Sequence, residues 1–193
     1  MWEESMLVKR VPLDVPFAYP DQTFTCGPLC IQAVAEYHGK KIPLGVLVIF
    51  CETAEIEGTA CDAMTSGARL AQLWAHDGYD GTVEIIRDFI DRGYPVIVHL
   101  YDPNWPDKGH GIFDQCHHQI VTDCTDTHIT MHDIDPIEDS GGPHQEMPIE
   151  EFLRIWHCEP GSENEGKRWF LVVAPHQLDS RFKGPVIRKP KPE

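Results

Sequence analysis

The chain has 193 residues, 41% hydrophobic and 24% charged, proportions that exclude a disordered or fibrous protein and suffice for one sizeable core. A formal net charge of −15 repels nucleic acid and anionic membrane and tends to attract cationic ligands. The start, MWEESMLVKRVPLDV, lacks the pattern of a secretory signal, no run approaches the roughly 20 apolar residues that cross a bilayer, and the cysteines are odd in number, so reduced thiols and a cytoplasmic location are expected.

After an extended, proline-punctuated lead-in over Val11–Pro20, the segment GPLCIQAVAEYH from Gly27 to His38 carries Leu29, Ile31, Val34 and Ala35 at helical spacing. Gly39 supplies a C-terminal stop, and Pro28 falls in the first turn, where a missing N–H does least harm. Cys26 therefore opens a helix. Further helices are expected from about Pro43 to Cys51, Asp62 to His76, and Thr82 to Arg92, the last with Val83, Ile86, Phe89 and Ile90 on one side.

Beyond Gly93 the pattern changes to short β-type runs at Pro95–Tyr101, Gln119–Cys124, Ile129–Asp133 and Trp169–Val173. Between the first two lies DPNWPDKGHGIFDQC, read as a loop beside a site, with Trp105 and Phe113 as its large aromatics. The polar stretch IEDSGGPHQ precedes MPIEEFLRIWH, one more amphipathic helix. Helices first and strands later make an α+β domain over residues 11–176, followed by an extended tail over 177–193.

Three features point to one chemistry: a thiol opening a helix, a histidine opening a strand, and an aspartate ending the next strand. A helix N-terminus favours thiolate over thiol and offers backbone amides to an oxyanion. His117, with an ordinary pKa near working pH, takes the thiol proton and returns it to the leaving group. A hairpin through a turn near Asp126 sets Asp133 beside His117, where it fixes the tautomer. His118 is adjacent and faces the opposite side. Asp135 shares a strand face with Asp133, and either carboxylate is able to orient the imidazole.

The segment DQTFTCGPLCIQAVAEYHG resembles the nucleophile region of C39-like peptidases, with its Gln followed by Cys-Gly-Pro opening a helix. GYPVIVHLYD is similar to that family's Gly-x-Pro strand, and HHQIVTDCTDTHITMHDIDP to its His-led strand and the strand ending in Asp-Pro. The resemblance spans roughly Asp21 to Pro136, with a weaker echo in PIEEFLRIW. It implies a papain-like α+β fold and a Cys–His–Asp/Asn triad with a Gln beside the oxyanion hole. Carried over by position, Cys26 matches the nucleophile, His117 the base, Asp133 the third member, and Gln22 the oxyanion donor. Asp123 departs from the family, which often has Gly there.

The implied activity is hydrolysis of a peptide, isopeptide or other amide bond through an acyl-enzyme on Cys26. Acyl transfer by the same triad and a non-catalytic or metal-binding domain of the same fold are the alternatives. The substrate is a peptide or amide compound, with a cationic group favoured by the acidic charge; neither nucleic acid nor membrane is a partner. Cys116, His117, His118, Cys124, His128, His132 and Asp133 crowd a short span, but their spacing matches no strong zinc pattern, and neighbouring strand residues diverge. No metal or cofactor is expected. Cys30 is expected to be buried on the first helix, and Cys51, Cys61 and Cys158 are read as small apolar packing.

Overall fold

The computed structural model describes residues 11–19, 22–105, 115–134 and 142–178. A short 3-10 turn, Thr23–Thr25, leads directly into α1, Cys26–Tyr37. This helix buries Leu29, Cys30, Ile31, Ala33, Val34 and Ala35, so it sits inside the molecule rather than on its surface. Gly39, at φ +79°, takes the left-handed turn that ends it. Helices α2, Leu44–Phe50, and α3, Cys61–Leu70, pack beside α1. At Gly67 an added Cβ would lie 2.3 Å from Cys51 Sγ and 2.9 Å from its backbone nitrogen, so α3 approaches the end of α2 as closely as glycine permits.

The strands are β1, Trp74–Gly78; β2, Val96–Tyr101; β3, Cys116–Cys124; β4, His128–Asp133; β5, Gly142–Pro148; and β6, Phe170–Ala174. They form one sheet in the order β1-β6-β2-β3-β4-β5, and every neighbouring pair is antiparallel. Helix α4, Val83–Asp91, precedes β2, and α5, Ile149–Ile155, follows β5. Thr82 caps α4 by accepting the Ile85 amide at 3.3 Å.

Alternation along the strands divides the core into two. Ile97, Ile120, Leu171 and Val173 pack with α1, α2 and α3. Val96, Val98, Val121, Phe170 and Val172 pack on the other face with α4 and α5. With helices on both sides, β2 and β6 read as near-continuous apolar runs. This is the α+β architecture expected, with the helix that Cys26 opens packed on an antiparallel sheet.

Two elements differ from expectation. The helix expected to reach His76 stops at Leu70, and Trp74–Gly78 is instead the edge strand β1. Gln72 adopts φ +60° and Leu73 N–H donates to Ala68 C=O at 3.0 Å, closing the helix without a glycine. The second is β5, which lies at the other edge with most of its residues exposed and so carries no apolar alternation to read. The expected tail falls almost entirely outside the described residues.

The N-terminal segment straps across the α1 face. Leu13 N–H donates to Thr122 C=O at 2.9 Å. Buried His132 donates from Nε2 to Val15 C=O at 2.8 Å, and its Nδ1 accepts the His144 amide at 3.2 Å. Asp123, at the shift in register between β3 and β4, accepts the Cys124 amide at 2.8 Å. A carboxylate at a bulge can satisfy an amide that the ladder leaves out of step.

Candidate active site

Cys26 begins α1 and is buried, and the residues around it explain its sequence context. Gly27 meets α3: an added Cβ would lie 2.5 Å from Met64 Sδ and 3.1 Å from Thr59 Cβ. Pro28 occupies the first turn, where helix amides have no intrahelical acceptor. Ahead of them, the Gln22 C=O accepts from Thr25 N–H at 3.3 Å and from Thr25 Oγ1 at 2.9 Å, which folds the turn that delivers the thiol.

His117 and His118 both act on Cys26. Burial works against the thiolate, but the charge and hydrogen bond of His117, joined by those of His118, outweigh it and hold the Cys26 pKa well below the ordinary cysteine value. Burial also opposes the charged form of His117, yet the Cys26 thiolate and the Asp133 carboxylate raise its pKa to about 10. Each partner therefore favours the charged form of the other. His117 Nε2 lies 3.5 Å from Asp133 Oδ1, an ion pair, and that oxygen accepts Gln119 Nε2 at 2.7 Å. Trp105 stands edge-on to the His117 ring at 6.2 Å between centroids.

His118 meets different surroundings. Its Nδ1 is 3.9 Å from Cys26 Sγ and its Nε2 is 3.9 Å from Cys61 Sγ. His99 and Trp169 pack edge-on against its ring. Burial lowers its pKa in spite of Cys26, with the His99 charge adding to the effect, so His118 is neutral near pH 7.

The thiol opens onto a cavity of about 470 Å³ whose wall includes Cys26, Cys61, His99, Cys116, His118 and Glu159. Glu52, Glu55, Glu57 and Asp62 add acidic groups to its rim. The structure thus brings Cys26, His117 and Asp133 into one neighbourhood. Gln22 is exposed, makes no capping hydrogen bond with its side chain, and does not line the cavity. Asp135 and Phe113 lie outside the described residues.

Of the crowded His and Cys residues, several have other work. Cys124 points to the Val83 carbonyl at 3.9 Å, His128 sits exposed beside Thr127, and His132 holds the N-terminal strap. Cys30 and Cys51 are core residues, whereas Cys61 and Cys158 line the cavity rather than simply filling the interior. Sequence reasoning passed over His99, Glu159 and Gln119. His99 carried a signal, a lone imidazole inside the apolar run VIVHLY, and the β2–β3 register sets it opposite His118. Glu159 sits in a loop after α5 and carried none.

No protein-family model matches the chain, and no curated protein matches its sequence. Solved structures do match. A chain described as a C39-like peptidase from Bacillus anthracis is 15% identical, with a TM-score of 0.62 over 84% of this chain and 96% of that one. A double glycine motif protease from an AMS/PCAT transporter, solved with its leader peptide, is 20% identical with a TM-score of 0.60 over 88% and 97%. The peptidase domain of Streptococcus ComA, a bifunctional ABC transporter of a quorum-sensing pathway, is 18% identical with a TM-score of 0.59 over 82% and 97%. The chain therefore has the papain-like fold of C39 peptidase domains, as the resemblance in its nucleophile and His-led segments implied.

Proposed function

We propose that the chain is a cysteine peptidase or amidohydrolase that forms an acyl-enzyme on Cys26, acting as a single domain over residues 11–176 with 177–193 as its tail. The observation that carries this reading is the placement of Cys26 at the start of a helix that opens on a cavity, where His117, with Asp133 3.5 Å behind it, and Cys26 each favour the charged form of the other. Cys26 Sγ attacks the carbonyl carbon, and the oxyanion is held by amides of the first turn of α1. Gln22, whose exposed side chain makes no capping bond, is proposed to turn inward and add a donor. The imidazolium of His117 protonates the departing amine, then as imidazole takes a proton from water as it attacks the thioester. Asp133 keeps the ring oriented, and Gln119 holds Asp133 in place.

A peptide is the substrate class we favour, because one similar structure holds a leader peptide and the cavity has room for several side chains. Its acidic rim suits a cationic group. No described helix is long and apolar enough to cross a membrane, and none of the seven cysteines forms a disulfide. A reducing compartment suits such a chain, and we assign its work to the cytosol.

The test is the pH dependence of iodoacetamide labelling, with the modified cysteine located by peptide mass mapping. Cys26 should label selectively below pH 7, and His117→Ala should shift that reactivity upward by more than one pH unit on the scale where ordinary thiols titrate near about 8.5. Labelling of Cys26 no faster than the other thiols, unchanged by the substitution, would remove the enzyme reading.

A further inference from the structure

Beside the proposed nucleophile lies a second cluster that the hydrolytic relay does not use. One donor atom from each of Cys61, His99 and His118 lies within 4.8 Å of the other two. The elements that present them are fixed: Cys61 opens α3, and His99 and His118 are directly paired across β2 and β3. His118 offers Nε2 to Cys61 Sγ at 3.9 Å. Glu159 Oε2 meets His99 Nε2 at 3.0 Å, while His99 Nδ1 is buried with no hydrogen-bond partner. A buried imidazole nitrogen left without a partner is costly in a folded protein. A carboxylate gripping one nitrogen while the other is left for a cation is the arrangement that orients metal-binding histidines.

We propose that Cys61, His99 and His118 form a binding site for a borderline divalent cation of the zinc class, with Glu159 orienting His99. Two imidazoles and one thiolate are the donor set such a cation selects over magnesium or calcium. With Zn–S near about 2.3 Å and Zn–N near about 2.0 Å, tetrahedral ligands stand roughly 3.5 Å apart. The 3.9 Å between Cys61 and His118 needs to contract by only a few tenths of an ångström. Three protein ligands leave a fourth position, and all three line the cavity that Cys26 also lines. A bound cation would therefore occupy part of the same cleft.

Cobalt titration of chelator-treated protein, read by thiolate-to-metal absorption, tests the site without any substrate, so its result is separate from the peptidase reading. One equivalent should bind. Cys61→Ala should abolish the thiolate band, His99→Ala should weaken binding at least about tenfold, and Cys26→Ala should retain the band. A band that persists in Cys61→Ala, or vanishes in Cys26→Ala, overturns the assignment. Should Cys61→Ala or His99→Ala fail to fold, zinc protection of Cys61 against iodoacetamide in the unaltered protein decides the same question: protection supports the site, and its absence at saturating zinc refutes it.

Discussion

On the two faces of β3, adjacent histidines meet opposite surroundings. Cys26 acts on both rings, but His117 also has a carboxylate behind it and its pKa rises, whereas His118 has a second imidazole, an indole and the Cys61 thiol around it and its pKa falls. Their cross-strand partners follow the same division, Leu100 opposite His117 and His99 opposite His118. The difference teaches that residue type and distance to a nucleophile do not assign a base. On the proposed mechanism what separates the two rings is the far side, where Asp133 adds to Cys26 in raising the pKa of His117, whereas burial prevails over Cys26 at His118.

The largest effect that would break this comparison is on turnover. His117→Ala is expected to lower peptidase kcat/KM on the order of 10³-fold, within the usual range for a lost general base, and His118→Ala by no more than roughly tenfold. The reverse order in steady-state assays on a peptide library would make His118 the base. Next comes the pH profile. The ion pair exists between the low pKa of Cys26 and the raised pKa of His117, so activity should fall on the alkaline side as pH passes about 10. Asp133→Asn removes one influence holding that pKa up, and the alkaline limb should move to lower pH by roughly one unit. An unmoved limb would deny Asp133 its role.

Gln119→Leu sharpens the same contrast from further out. It removes the hydrogen bond that steadies Asp133 and should cost roughly threefold to tenfold in kcat with KM little changed. An equal loss in the background of Asp133→Asn would show that Gln119 acts elsewhere. The smallest effect concerns stability at a third histidine of the sheet. Burial lowers the pKa of His132 below its ordinary value of 6.5, with the Val15 carbonyl acting in the opposite sense. A histidine kept neutral by the fold lends stability above its unfolded pKa, and that stability drains away as pH falls through 6.5 toward the folded value. Urea unfolding should therefore lose on the order of 1 kcal/mol between pH 7 and pH 5, and His132→Gln should flatten that slope.

Much of this was legible beforehand, for reasons that can be named. The apolar runs of β2 and β6 and the one-sided pattern of α4 are local signals of burial, and they survive without tertiary knowledge. The places of Cys26 at the start of α1 and Asp133 at the end of β4 were readable because the sequence marks where those elements start and stop, whereas β3 begins at Cys116, ahead of the expected Gln119. Trp74–Gly78 was not, because Gln72 ends α3 in a left-handed conformation that normally announces itself with glycine. The exposed edge β5 has no buried face to advertise. His99, Cys61 and Glu159 come together through strand register and a loop after α5, and such meetings are written in no single stretch of chain.

The strand order has a consequence for how the molecule is made. Residues Phe170–Ala174, late in the chain, insert between β1 and β2, and Trp74 pairs with Ala174. While the chain is emerging from the ribosome, β1 has no neighbour, and α1 lacks part of the surface on which it packs. Contacts that wait for such distant segments form slowly and leave apolar edges uncovered in the interval. A nascent chain halted before Phe170 is therefore expected to be prone to aggregate, and Cys26 to be seated against the sheet only once Phe170–Ala174 has been made.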